Sequence, residues 1–129
     1  MTKYSNNALR DLMRVTKALA DPTRVRALLA LRQGELCVCQ LTALFDLAPS
    51  TMSRHLSILH QAGLVESRKQ GRWIYYRLPG APAPACAREA LAWAQRALAS
   101  SPEAAADARQ LKTILNLDPA ELCKRQCRS

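Results

Sequence analysis

Five cysteines are the residues of this 129-residue chain best suited to chemistry, and two of them stand together as Cys37-Val38-Cys39. Thiolates are soft ligands and select soft or borderline ions. An odd number of cysteines, in a chain that shows no charged start followed by an apolar leader, argues against a structural disulfide framework and for thiol or metal chemistry. The spacing carries information of its own. At about 3.6 residues per turn, positions two apart on a helix point about 200° apart. A regular third helix over 35–46 therefore cannot aim both sulfurs at one ion: either its first turn is extended or unwound, or binding unwinds it. Three further thiols are available as ligands. Cys86 falls early in a later helix, where a helix N-terminus favours thiolate, and Cys123 and Cys127 share a helix face if the C-terminal segment is helical. The plainer role of any one of these residues is that of a small buried hydrophobe.

The elements that would position these thiols are legible in the pattern. Leu9, Leu12, Met13, Thr16 and Leu19 form a helical stripe that breaks near Ala20. Asp21-Pro22 restarts the chain as a cap and first turn. Val25, Leu28, Leu29 and Arg32 continue helix two, and Gly34 closes it. Leu41, Leu44 and Phe45 give the apolar side of helix three, and Leu47-Ala48-Pro49 is a turn. Met52, Leu56 and Leu59 then lie at helical spacing, which leaves Ser50, Thr51, Ser53 and Arg54 pointing outward. Ala62-Gly63 ends that helix with a left-handed cap. The period changes after it. Leu64-Val65 and Trp73 to Tyr76 read as strands around the charged turn Arg68-Lys69-Gln70-Gly71-Arg72.

A polar, Arg-tipped helix followed at once by a basic hairpin fits a DNA reader. Ser50, Thr51, Ser53 and Arg54 could bond base edges or phosphates, His55 could donate to a phosphate, and Arg68, Lys69 and Arg72 are placed for the backbone, with Arg72 nearest the tip. His60 is given no role, and Trp73, Tyr75 and Tyr76 are read as hairpin packing. The charge agrees. The net charge is +9, with +7 in residues 1–79 (12 basic, 5 acidic) and +2 in residues 80–129 (7 basic, 5 acidic), so the basic excess sits with the reader.

Pro79 to Pro84 reads as a linker and Cys86 to Leu98 as an Ala-rich helix. In it Cys86, Ala90, Trp93 and Ala97 form a close-approach seam for a partner helix. Further helices are expected over Glu103 to Leu115 and from Asp118-Pro119 to the end. The expected division is residues 1–99 as a winged helix-turn-helix and dimerisation domain, and residues 100–129 as a tail, helical in part. Apolar content of 49% can supply a core, but aromatics at 5% leave the packing to Leu and Ala, and so small a domain gains from dimerising. No apolar run approaches the roughly 20 residues of a membrane span, and a cytoplasmic location is expected. No nucleophile–base set, phosphate loop or His-rich hydrolytic site argues for an enzyme.

ALADPTRVRALLAL, ELCVCQL, STMSRHLSILHQAGLV and RKQGRWIYYRL follow one another as they do in the ArsR/SmtB family of metal-responsive winged-helix repressors, which this chain resembles from about Leu9 to Leu78. The resemblance implies a mostly α fold with a small β-hairpin, ordered α-α-α-α-β-β-α before the tail. It also implies a homodimer formed through the first helix and the Ala-rich one, with no membrane partner, bound to an inverted repeat of double-stranded operator DNA. Arsenic-responsive members carry ELCVCDL, which implies Cys37 and Cys39 as ligands of As(III) or Sb(III) acting as inducer, with no organic cofactor. Members with three thiolates on this helix have CVCxxC. Here the third place is Thr42, so a third ligand would have to be Cys123, Cys127 or Cys86. Two alternatives follow: a repressor that answers methylated trivalent arsenic, which needs fewer sulfurs, or a thiol redox switch on the same fold.

Overall fold

The computed structural model describes residues 2–80 and 83–127, with side chains described over 8–80 and 83–126. The helix α1 covers Thr2–Ala18 and so begins well before the apolar stripe that starts at Leu9. Asp21 then caps α2 (Pro22–Ala30): its carboxylate accepts from Thr23 N at 2.8 Å and Arg24 N at 3.4 Å, and Pro22 fills the first turn, where no N–H is needed. A short 3-10 turn over Leu31–Gln33 runs to Gly34, whose φ of 139° only glycine takes without strain.

The third helix is shorter than expected. Leu36–Cys37 is a strand, β1, and α3 covers only Val38–Phe45. The sequence pattern could not show this, because the pairing partners lie some 39 residues downstream: Leu36 pairs with Tyr76 and Cys37 with Tyr75. After a turn through left-handed Asp46 comes α4 (Pro49–Gln61), again with proline in the first turn. Its end is a Schellman cap, with Gly63 at φ 77° donating to His60 O at 3.0 Å and Leu64 N donating to Leu59 O at 3.0 Å.

The hairpin pairs β2 (Glu66–Gln70) with β3 (Trp73–Arg77) around a two-residue Gly71-Arg72 tip, and with β1 it makes a three-stranded antiparallel sheet in the order β1-β3-β2. The strands start later than Leu64-Val65, both of which are buried in the core instead. Next come α5 (Ala85–Ala97), α6 (Pro102–Leu115) and α7 (Pro119–Cys127). Ser101 caps α6 through Ala104 N at 3.2 Å. Among the described residues no helix is long and apolar enough to cross a membrane.

One apolar cluster holds these elements together. It draws on Val15 and Ala18 of α1, Leu28 of α2, Leu41 and Leu44 of α3, Met52, Leu56 and Leu59 of α4, Leu91 of α5, Leu111 and Ile114 of α6, and Leu122 of α7. Residues 100–127 are thus packed onto the same core as the helices before them. A bidentate ion pair adds to this: Arg26 of α2 donates from Nε (2.8 Å) and Nη2 (2.7 Å) to the buried Asp107 carboxylate of α6, with its guanidinium 5.1 Å from the Phe45 ring.

Candidate nucleic-acid interface and thiol cleft

The outward face of α4 is as the periodicity predicts. Ser50, Thr51, Ser53 and Arg54 are exposed while Met52, Leu56 and Leu59 are fully buried. At the wing tip, Gly71 and Arg72 are exposed, and Gly71 takes the left-handed φ of 63° that the tight turn requires. Among the described residues, the ion pairs engage Arg26, Arg68 and Arg77 and leave Arg54, Lys69 and Arg72 with no carboxylate partner.

Two expected contact residues are engaged within the fold. Arg68 reaches back to Glu35, with Nη2 to Oε1 at 2.7 Å and Nε to Oε2 at 2.9 Å; it also donates to Gln70 Oε1 and lies 4.6 Å from the Tyr75 ring. It therefore braces the wing against the segment before β1. The Arg68 hydrogen bond holds the Glu35 carboxyl below the usual carboxylate range. His55 Nδ1 sits 3.0 Å from Arg24 Nη1. Arginine offers only donors, so Nδ1 accepts and Nε2 carries the ring hydrogen. Arg24 also donates from Nε to Ala18 O (2.8 Å) and from Nη2 to Lys17 O (3.0 Å), tying the α1–α2 corner to α4. Sequence reasoning missed Arg24 and Glu35, whose partners are 31 and 33 residues away. Trp73 and Tyr75 pack with ring centroids 6.3 Å apart, and burial raises the Tyr76 phenol.

The thiols differ from the expected pattern in an informative way. Cys37 is 1% exposed and extended (φ −82°, ψ 160°), the cap residue of α3 rather than part of its first turn. Its N–H donates to Gln40 Oε1 at 3.0 Å, the return half of a capping box in which cysteine stands where serine or threonine is usual. The conflict posed by i, i+2 spacing on a regular helix is thereby removed, because only Cys39 is helical. Thr42, in the place of a third thiol, is buried and back-bonds to Val38 O at 2.7 Å.

Cys39 is joined to Cys123 of α7 by a disulfide, with Cα atoms 5.4 Å apart. This corrects the expectation that no structural disulfide forms. The reason is packing: Leu122 is buried in the core, and Gln126 Nε2 donates to Cys39 O at 2.9 Å, so α7 lies along α3 with Cys123 facing it. Cys86 lies on α5, outside this region, and the Cys127 side chain is outside the described residues.

Cys37, Cys39 and Cys123 line one open cleft of about 880 Å³. Its other walls are Pro49 and Ser53 of α4, Gln70 to Ile74 of the wing, and Ala120, Lys124 and Gln126 of α7. Among the described residues, no three His, Cys, Asp or Glu side chains already stand together as a metal-binding group. The thiol cleft and the exposed α4–wing surface share Ser53 and Arg72.

Comparison with known proteins agrees with this architecture. The model for bacterial regulatory proteins of the arsR family matches residues 21–67. An arsenic resistance transcriptional regulator of Pseudomonas putida is 52% identical over 65 residues, half of this chain and 51% of that protein. The chain thus spans about half the length of that relative. The arsenical resistance operon repressor of Bacillus subtilis is 39% identical over 79 residues, which cover 60% of this chain and 75% of the repressor. Among solved structures, a homodimeric winged helix-turn-helix DNA-binding domain from Mycobacterium bovis superposes with a TM-score of 0.62 at 34% identity, covering 74% of this chain and 84% of that one. These relatives are transcriptional regulators, not enzymes. With the winged helix-turn-helix in place and a repressor matched over three quarters of its length, the chain belongs to the ArsR family of bacterial regulatory proteins.

Proposed function

We propose that this protein is a cytoplasmic, homodimeric repressor that holds operator DNA and releases it when trivalent arsenic or antimony binds its cysteine thiolates. Two α4 helices about 34 Å apart would enter successive major grooves of an inverted repeat. The dimer is supported by apolar surface with no partner in the single chain: Leu9 (65% exposed), Leu12 (45%) and Met13 (51%) on α1, and Trp93 (61%) on α5. Ser50, Thr51, Ser53 and Arg54 would meet bases and phosphates, with Arg72 and Lys69 on the flanking backbone. Nε2 of His55 would donate to a phosphate, and Arg68 would keep the wing upright.

The observation that carries the effector reading is the convergence of Cys37, Cys39 and Cys123 on one cleft beside α4 and the wing. The Cys39–Cys123 disulfide is first opened by a small thiol reductant, which supplies two electrons and two protons. Three thiols can then exchange with the three hydroxyls of arsenous acid, forming three S–As bonds and releasing three waters. Cys39 and Cys123 are already adjacent; Cys37 has to turn toward them. Cys37 is paired with Tyr75 in the sheet, so that turn pulls on β3 at the base of the wing and on the cap of α3 together. A coupling of about 1–3 kcal/mol is enough to release DNA, and linkage requires DNA to weaken effector binding equally. The test is arsenite titration of a fluorescent operator complex with reductant present. Release should be lost in the Cys37→Ser/Cys39→Ser protein, and release at wild-type arsenite levels would refute the assignment.

The disulfide supports a second reading, in which oxidation of Cys39 and Cys123 is itself the signal. Peroxide in the absence of metal would then change operator affinity, and Cys123→Ser would abolish that change.

A further inference from the structure

The C-terminal helix α7 is explained neither by the reader nor, apart from Cys123, by the effector site. Its docking is well defined: Leu122 is buried, Gln126 bonds Cys39 O, and Cys123 is joined to Cys39. Helical spacing then decides what else it presents. Ala120, Cys123 and Lys124 stand three and four residues apart and fall on one side of the helix. All three line the cleft that Ser53 of α4 and Arg72 of the wing tip also line.

The chemistry of that cleft is one-sided. Among the described residues, Lys124 and Arg72 are its charged lining residues, both basic, and no carboxylate side chain lines it. Lys124 is exposed and, among the described residues, takes part in no ion pair. Two cations without a carboxylate partner among the described residues, lining one open cleft together with Ser53, suit a phosphodiester backbone. The wing tip and the first turns of α4 are the surfaces that the DNA-binding reading brings against the duplex, and α7 is docked at their junction.

We propose that α7 is a third DNA-contacting element, and that Lys124 neutralises a backbone phosphate between the reader helix and the wing tip. This rests on the DNA-binding reading above. It also gives the Cys39–Cys123 pairing a consequence, since whatever shifts α7 on α3 shifts a phosphate contact.

The test compares Lys124→Ala with Lys112→Ala, which removes the same charge from α6 in a separate groove beside Leu29 and Arg32. Operator affinity is measured by fluorescence anisotropy across a salt series, on the full chain, with folding checked by circular dichroism. Lys124→Ala removes one phosphate contact from each protomer of the dimer, so it should flatten the slope of log affinity against log salt by about two and weaken binding roughly 30-fold near 0.15 M salt. Lys124→Arg should restore both, and Lys112→Ala should leave the slope unchanged. The proposal is overturned if Lys124→Ala behaves like Lys112→Ala, or binds more tightly because α7 shields the reader. If the wild-type chain binds no duplex at any salt, the DNA-binding reading falls and this proposal falls with it; binding by wild type with an unchanged Lys124→Ala slope removes this proposal alone.

Discussion

Cys39 and Cys123 are 84 residues apart in the chain, yet their Cα atoms lie 5.4 Å apart and their sulfurs are bonded. The last helix is thereby fastened to the helix that supports the reader. A crosslink over so long a loop removes much of the freedom of the unfolded chain, by about 4–5 kcal/mol in the chain-entropy account. Denaturant unfolding should show the oxidised protein more stable than the reduced one, by up to that amount. Cys123→Ser should show no dependence on reductant.

Arg24 should behave as a corner clamp. Its three bonds, to Ala18 O, Lys17 O and His55 Nδ1, join α1 to α4. Arg24→Ala should lower stability by about 1–3 kcal/mol. It should also free the His55 ring, which is visible as loss of a single Nδ1-acceptor tautomer in 15N NMR. Arg24→Lys, which cannot make all three bonds, should recover little of either.

The wing brace predicts a dependence on acid. Glu35 is held below its ordinary value of 4.5 by the Arg68 hydrogen bond. A depressed carboxyl contributes stability above the ordinary value and loses it as pH falls through the lowered one. The protection of β2 amides, taken relative to the intrinsic exchange rate at each pH, should therefore fall below about pH 4.5, and Arg68→Ala should show low protection at every pH. Rates in Arg68→Ala equal to wild type at neutral pH would remove the brace.

The apolar surface on α1 and α5 predicts assembly. Trp93→Lys or Leu12→Glu should shift sedimentation from dimer to monomer with the single-chain fold intact, because both side chains are exposed in the single chain. Operator affinity should fall more than tenfold, since a monomer reaches one half-site. A dimer that survives both changes would place the interface elsewhere.

What could be read in the sequence was local or periodic. Asp21-Pro22, Pro49 and Ala62-Gly63 mark helix ends by residue-specific backbone chemistry, and the exposed face of α4 follows from the spacing of Met52, Leu56 and Leu59. What could not be read was non-local. Strand β1 is two residues long and exists because β3 offers it a free edge, so Cys37 looked like part of a helix. The docking of α7 includes the buried Leu122, the Gln126 bond to Cys39 O and the Cys39–Cys123 pair, none of which has a periodic signature. Arg68 looked like a wing cation because Glu35, its partner, lies 33 residues earlier.

Capture of the effector at the α3–α7 junction is tested most directly by X-ray absorption of the reduced, arsenite-loaded protein, which counts the sulfurs around arsenic. The account predicts three sulfurs in the wild type and two in Cys123→Ser or Cys37→Ser, with weakened DNA release in both variants. Arsenic bound with an unchanged sulfur number after Cys39→Ser would contradict it.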